Sequence, residues 1–347
     1  MSCFYPLKGY KVGVNPSGKP AYKIASYKSI GVRKDSNDNW TPIFDDIWSD
    51  KYSNIIRDSI DIPCGHCVGC FLDRSRQWAD RCMLEASYHK CNCFITLTYD
   101  DFHLPKVNQL IDDDAVVTDS LIHPLVKRDF QLFMKRLRSH FSDTKIRFFA
   151  CGEYGSKTFR PHYHAILFGI DFSDDRVLYK ENFRGERLYN SPSLDKIWNK
   201  GYCVIAPVTW QTCAYVSRYC LKKRENNLVD FYDRFNVPPE FTIMSRKPGI
   251  ARDYYEDNKD SIYRTEEIYI SDLNGSKKCR PPKYFDKLYD VDYPSDYERI
   301  KLNRQKFAEI QRDLILDGTD LDFLDYLKVS EYNLSDKARI FKERSEI

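Results

Sequence analysis

Hydrophobic and polar positions along the chain fall into two rhythms. The run Cys93-Phe94-Ile95-Thr96-Leu97-Thr98-Tyr99 is rich in aromatic and β-branched residues and predicts a strand ending at Asp100-Asp101. Behind Pro124, the residues Leu125, Phe130, Phe133, Met134, Leu137 and Phe141 recur at helical spacing, with Lys127, Arg128, Lys135, Arg136 and Arg138 on the outer face. A hairpin follows: Lys145 to Tyr154, a loop over 155–160, and Pro161 to Gly169. Helical patterns are also predicted at about 72–89, 187–199, 210–224, 296–316 and 320–328, with a further strand over 204–208. Residues 1–60 read as short strands and loops, and 104–123 as a loop. This order predicts an α+β fold: a central antiparallel sheet flanked by helices, a Cys-rich N-terminal region and a helical C-terminal extension. The strand after 160 is expected at the centre, because its run is apolar on both faces. The chain divides into an N-terminal region 1–90, a core 91–256 and a charged extension 257–347.

Composition narrows the classes. A chain of 347 residues with 42 % hydrophobic positions can bury a real core. No run of 18 apolar residues suggests a membrane span, and the opening Met1 to Lys8 lacks an apolar signal core, so secretion is not expected. The net charge is only +3, but it is uneven: residues 1–256 carry +6 and residues 257–347 carry −3. The basic body points weakly to a polyanionic partner.

Twelve cysteines ask for a reason. Cys64, Cys67 and Cys70 form Cys-x-x-Cys-x-x-Cys, which without a signal peptide reads better as a reduced set than as disulfides. Zinc takes four ligands as a rule; His66, Cys3, Cys82, Cys91 and Cys93 are the available partners, and Cys3 is preferred. The alternative is three thiols in a tight turn.

The second chemical signal is Arg160-Pro161-His162-Tyr163-His164. Side chains alternate along a strand, so His162 and His164 share a face, about 6.6 Å apart along the backbone. Two imidazoles at that spacing can hold one metal ion, and burying both without partners would be costly. If the hairpin loop spans 155–160, Glu153 opposes His162 and adds a carboxylate to the same face. Two histidines and one carboxylate leave coordination positions open. A register slip of one residue would put Glu153 on the other face. The third signal is Tyr215-Val216-Ser217-Arg218-Tyr219-Cys220-Leu221-Lys222, where Tyr215 and Tyr219 are neighbours on a helix, with Arg218 and Lys222 three residues behind each phenol. Taken alone, such a pair could be packing tyrosines.

Taken in order, these segments resemble the HUH (His-hydrophobe-His) endonucleases. More closely, the chain resembles replication initiators of the Microviridae of gokushovirus type. The matching text is Pro63 to Cys70, Arg76-Gln77-Trp78-Ala79, Thr96-Leu97-Thr98-Tyr99, Gly152-Glu153-Tyr154-Gly155, Arg160 to His164, Tyr215 to Tyr219, and Ser245-Arg246-Lys247-Pro248-Gly249. It covers roughly residues 1–255. The resemblance implies nicking of one strand of the viral origin through a tyrosine, leaving a 5′-phosphotyrosine and a 3′-OH primer, with later religation of the displaced circle. It implies Mg²⁺ or Mn²⁺ at His162, His164 and Glu153, and Tyr215 and Tyr219 as nucleophiles with Arg218 and Lys222 beside them. Lys223, Arg224, Arg246 and Lys247 are the candidates for phosphate contact. Implied partners are single-stranded or melted origin DNA, a host helicase and the host replication polymerase, in the cytoplasm of an infected bacterium. Competing readings are a two-tyrosine relaxase or transposase, a metallo-hydrolase with a water nucleophile, and a non-catalytic zinc-containing DNA-binding protein.

Overall fold

The computed structural model describes residues 3–16, 18–45, 55–106, 123–155, 158–182, 185–218, 232–272 and 275–345. Two compact units divide the chain: Met1–Asp73 together with Asp292–Ile347, and Arg74–Val291.

The first unit joins the two chain ends. Its strands are β1 (Leu7–Val14), β2 (Pro20–Ser26), β3 (Gly31–Lys34), β4 (Trp40–Ile43), β5 (Ile55–Ile56) and β6 (Ser59–Ile62). They form two antiparallel three-stranded sheets, ordered β2-β1-β6 and β4-β3-β5. Helix α1 (Val68–Ala86) begins directly behind the cysteine motif.

In the second unit the strands are β7 (Asn92–Tyr99), β8 (Arg147–Tyr154), β9 (Pro161–Phe168), β10 (Val177–Glu181), β11 (Arg187–Asn190), β12 (Gly201–Ala206) and β13 (Phe241–Met244). They make one antiparallel sheet in the order β10-β11-β12-β7-β9-β8-β13. The His-bearing strand β9 therefore lies inside the sheet, as its two-sided apolar pattern predicts. One face packs against α2 (Lys127–His140) and α3 (Pro192–Trp198) through Ile95, Leu97, Tyr163, Ala165, Leu167, Phe133 and Trp198. The other face meets α1 and α4 (Trp210–Arg218) through Phe149, Cys151, Ile166, Phe168, Ala79, Cys82, Cys213 and Val216. Strand alternation sorts the odd positions of β7 and β9 to the first layer and the even ones to the second. A hydroxyl network ties the first layer together: Tyr99 Oη donates to Asp129 at 2.7 Å, and Tyr163 Oη donates to the Val126 carbonyl at 2.8 Å.

The remaining elements are α5 (Arg252–Thr265), β14 (Ile268–Asp272), β15 (Gly275–Cys279), α6 (Lys283–Asp292), α7 (Pro294–Asp317) and α8 (Phe323–Ser345). Helices α5 and α6 meet through Tyr263 and Tyr289, whose rings stack at 3.7 Å. No helix among the described residues is long and apolar enough to cross a membrane.

Most predicted elements lie where the pattern places them, with ends shifted by a few residues. One does not. Residues 187–199, expected as a single helix, split into β11 and α3. Ser191 caps α3 by accepting from Leu194 N–H, and Pro192 sits in its first turn, so the helix starts there. The four residues before it are drawn into the sheet by pairing with β10 and β12.

The turn after β13 is fixed to the sheet. Ser245 N–H donates to the Phe148 carbonyl at 2.9 Å, and Arg147 Nη2 donates to the Pro248 carbonyl at 2.9 Å. Arg147 Nε pairs with the buried Glu85 carboxylate, which also accepts from Ala251 N–H at 2.6 Å and faces His89 Nε2 at 3.2 Å. Burial pushes the Glu85 carboxyl up. The His89 and Ala251 hydrogen bonds and the Arg147 charge outweigh it and hold it below the ordinary 4.5. Arg147→Met leaves this carboxylate without its cation and is expected to cost about 3–5 kcal/mol in urea unfolding; a change under about 1 kcal/mol contradicts the account. Because the folded value lies below the unfolded one, Glu85 stabilises the fold above its unfolded value, and that contribution fades as pH falls through the folded value. Glu85→Gln is therefore expected to flatten the fall in stability below about pH 5, read from thermal midpoints across pH.

Candidate active site

The site is built where β8, β9 and β7 run side by side. Glu153 pairs directly with His162, and Tyr154 with Pro161, so the hairpin has the register expected from its loop. On the other side of β9, Thr96 pairs with His164 and Thr98 with His162. All five side chains belong to the face covered by α1 and α4.

Within that row the contacts run diagonally. His164 Nε2 donates to Glu153 Oε1 at 2.7 Å, although the residue opposite His164 on β8 is Cys151. Thr96 Oγ1 lies 3.0 Å from His164 Nδ1, and Thr98 Oγ1 lies 3.3 Å from His162 Nδ1. The His164 ring stacks on Phe94 at 5.6 Å between centroids. Glu153 and His164 are buried, and His162 is half-buried. Burial pushes the His162 imidazole below its ordinary 6.5, helped by the nearby His164 and Arg160 and opposed by Glu153. Arg160 itself donates to the Tyr99 carbonyl at 2.8 Å and pairs with Asp101.

Helix α4 brings the phenol. Its first turn is closed reciprocally: Thr212 N–H donates to Thr209 Oγ1 at 3.1 Å, and Thr209 N–H donates to Thr212 Oγ1 at 2.9 Å. Cys213 and Val216 face the core, and Ser217 Oγ reaches Ser75 Oγ on α1 at 2.9 Å. This seating leaves Tyr215 half-buried over the sheet. Its Oη donates to Glu153 Oε1 at 3.1 Å, and its ring stands edge-on to His164 at 5.0 Å. One carboxylate oxygen thus accepts from both an imidazole and a phenol.

The donor set suits a divalent ion. Two imidazole nitrogens and a carboxylate lie on one face, and both Nδ1 atoms are engaged by threonine hydroxyls, which leaves Nε2 to point outward. The backbone supports this: a Cβ on Gly155 would lie 2.8 Å from His162 Nε2, so only glycine leaves that nitrogen room. The set is drawn together by hydrogen bonds rather than collapsed to coordination distance. Among the described residues, only the cysteines gather three or more ligand atoms within 4.8 Å of one another.

That cysteine group is Cys3, Cys64, Cys67 and Cys70, and it could hold a metal ion. Gly65, at φ +79°, turns the chain between the first two motif cysteines. Cys64 Sγ lies 4.0 Å from Cys70 Sγ, and Cys67 Sγ lies 4.0 Å from Cys3 Sγ. Thiolates about 2.3 Å from a tetrahedral zinc sit about 3.8 Å apart, close to this spacing. Cys3 is the fourth member, while His66 is exposed beside the group and Cys82 and Cys93 are buried in the cores around the large sheet. Phe4, Phe323, Tyr326 and Leu327 pack around the four cysteines. Burial raises the Cys3 thiol to about 11. Burial also pushes Cys67 up, but hydrogen bonds from the Phe4 and Cys70 backbone outweigh it and hold that thiol below its ordinary value.

Other predicted residues lie apart. Arg218 is exposed at the end of α4, and Arg246 and Lys247 are exposed on the turn after β13. Tyr219, Lys222, Lys223 and Arg224 lie outside the described residues. Sequence alone assigns no role to Thr96, Thr98, Phe94 and Gly155. The even-numbered alternation Phe94-x-Thr96-x-Thr98 carries the signal, but it has meaning only once β7 is known to lie beside β9. A cavity of about 1030 Å³ around Cys91, Arg176 and Ile205 holds none of the site residues.

Known proteins supply relatives for the chain. The family model for replication-associated protein ORF2 matches residues 92–224, which span β7 through the tyrosine helix. The chain is 33 % identical to replication-associated protein ORF2 of Spiroplasma virus 4, over 93 % of each chain. It is 28 % identical to replication-associated protein VP4 of Bdellovibrio phage phiMH2K, over 84 % of this chain and 88 % of that one. It is 31 % identical to replication-associated protein ORF4 of Chlamydia phage 1, over 75 % of this chain and 62 % of that one. No solved structure matches. With the relationship to the Spiroplasma virus protein running almost end to end, the chain belongs to the replication-associated proteins of Microviridae-type phages.

Proposed function

We propose that this replication-associated protein is a rolling-circle initiator of the HUH endonuclease class. It nicks one strand of the viral origin, remains joined to the 5′ phosphate through tyrosine, and leaves a 3′-OH that primes synthesis. The observation that carries this reading is the Tyr215 hydroxyl on the Glu153 carboxylate, 3.1 Å away, beside His164.

A phenol titrates near 10 and attacks poorly at neutral pH, so it needs help at both ends of the reaction. Glu153, and His164 through Glu153, hold the phenol and draw on its proton. The phenolic oxygen forms a bond to phosphorus as the bond to the 3′ oxygen breaks, and the departing oxygen takes up a proton to become the primer hydroxyl. Mg²⁺ or Mn²⁺, held by His162, His164 and Glu153, would supply Lewis-acid polarisation of the scissile phosphate. In this reading Tyr219 serves the second cut one helical turn away, and the released 3′-OH attacks the first phosphotyrosine to close the displaced circle. Arg218 and Lys222 offset developing negative charge. Lys223, Arg224, Arg246 and Lys247 contact phosphates of single-stranded or melted origin DNA. Strand displacement calls for the host helicase and polymerase, in the cytoplasm of the infected bacterium. Residues 91–256 carry this chemistry, with 1–90 and 257–347 as accessories. The four cysteines take a structural zinc.

A labelled single-stranded origin oligonucleotide with Mn²⁺ or Mg²⁺, resolved on a denaturing gel, tests the reading. An SDS-resistant adduct is expected. Tyr215→Phe and Tyr219→Phe should differ, with at least one abolishing it, and His162→Ala or His164→Ala should slow its formation at least about 100-fold. Cleavage without an adduct indicates a water nucleophile, and an adduct that survives the double Phe change refutes the tyrosine assignment. For the cysteines, elemental analysis should find one zinc per chain, lost together with thermal stability in Cys64→Ser or Cys3→Ser. Zinc-free protein with an unchanged melting midpoint contradicts that role.

A further inference from the structure

The two histidines share a partner type that metal chemistry alone does not require. Each Nδ1 meets a threonine hydroxyl on β7 rather than a carboxylate or a carbonyl: His164 meets Thr96 at 3.0 Å, and His162 meets Thr98 at 3.3 Å. Both are directly opposed cross-strand pairs, so the contacts follow from backbone register and not from loop placement. Thr96 and Thr98 stand at i and i+2 on β7, mirroring His164 and His162 on β9.

A carboxylate only accepts, so His164 Nε2 carries the hydrogen that it gives to Glu153 Oε1. As a metal ligand, the same nitrogen must offer its lone pair, and the ring hydrogen must then sit on Nδ1. The partner of Nδ1 has to tolerate both situations. A hydroxyl can donate to a bare Nδ1 or accept from Nδ1–H after one rotation about its C–O bond, whereas a backbone carbonyl can only accept.

We infer that Thr96 and Thr98 are positioning residues that hold the His164 and His162 rings through Nδ1 and turn both Nε2 atoms toward the cation, their hydroxyls reversing from donor to acceptor when the ion binds. The inference rests on the proposed cation site at His162, His164 and Glu153. Each threonine acts only through its histidine, and loss of its hydroxyl removes a hold on the orientation of that ring.

The test is Mn²⁺ binding to the full, zinc-replete chain, followed by electron paramagnetic resonance of free Mn²⁺. Binding at this site is counted as the difference from a His162→Ala/His164→Ala double variant. The parent is expected to bind one Mn²⁺ more than that variant. Thr96→Val and Thr98→Val, matched in shape and suited to a strand, should each weaken that binding about 10-fold or more, because outer partners of ligating histidines carry effects of that size. Thr96→Ser and Thr98→Ser, which keep the hydroxyl, should stay within about threefold of the parent. Adduct formation by the Val variants should recover as Mn²⁺ is raised, separating weakened metal binding from damaged chemistry. A readout without substitution is ring-nitrogen NMR of the unaltered chain in saturating Mg²⁺, where both rings should carry hydrogen on Nδ1. Val variants that bind Mn²⁺ within twofold of the parent overturn the positioning role and leave the cation site standing. So does a ring that keeps its hydrogen on Nε2 in Mg²⁺. A parent that binds no more Mn²⁺ than the double His variant overturns the cation site and this inference together.

Discussion

The register of β9 between its two neighbours is the constraint on which the site depends. Three strands contribute one row: Thr96 and Thr98 from β7, His162 and His164 from β9, and Glu153 from β8. Side chains alternate with a period of two, so a slip of one residue on either side would send Glu153 or the threonines into the opposite layer. The core holds the register on both faces. Tyr163, Ala165 and Leu167 are locked into one layer, Ile166 and Phe168 into the other. An interior strand buried on both sides has no cheap alternative pairing.

The tyrosine helix is set by different forces. Its first turn is closed by Thr209 and Thr212, its apolar side is buried by Cys213 and Val216, and its approach to α1 is fixed by the Ser75–Ser217 contact. The small serines permit close approach of the two helices, and each hydroxyl finds a partner there. The outcome is that Tyr215 meets Glu153 from above the sheet while the two threonines hold the histidines from within it. The cysteine group is a separate construction at the chain ends, where four sulfurs and the side chains of α8 replace a conventional core. A region that small gains little from apolar burial alone, which is the setting in which metal sites supply stability.

Much of this was legible in the residues. The His-x-His strand, the opposed Glu153 and the choice of Cys3 all came from spacing and alternation, because those are local rules. What remained hidden was non-local. That Glu153 bonds diagonally to His164, and not to the His162 opposite, depends on how side chains lean. That Thr96 and Thr98 matter depends on β7 lying beside β9, a neighbour relation between segments more than sixty residues apart. The misread stretch 187–199 failed for a related reason: Arg187 to Asn190 gain more from pairing with β10 and β12 than from helical propensity, and only the sheet reveals that.

The central claim is that a tyrosine on this helix takes the DNA strand, and mapping the covalent link tests it most directly. Trypsin cuts after Arg218 and so separates Tyr215 from Tyr219 into different peptides. After reaction with the origin oligonucleotide and nuclease trimming, mass spectrometry should find a nucleotide 5′-phosphate on the peptide ending at Arg218, or on the one beginning at Tyr219. A nucleotide on any other residue, or none on a protein that has cut the strand, would contradict the account.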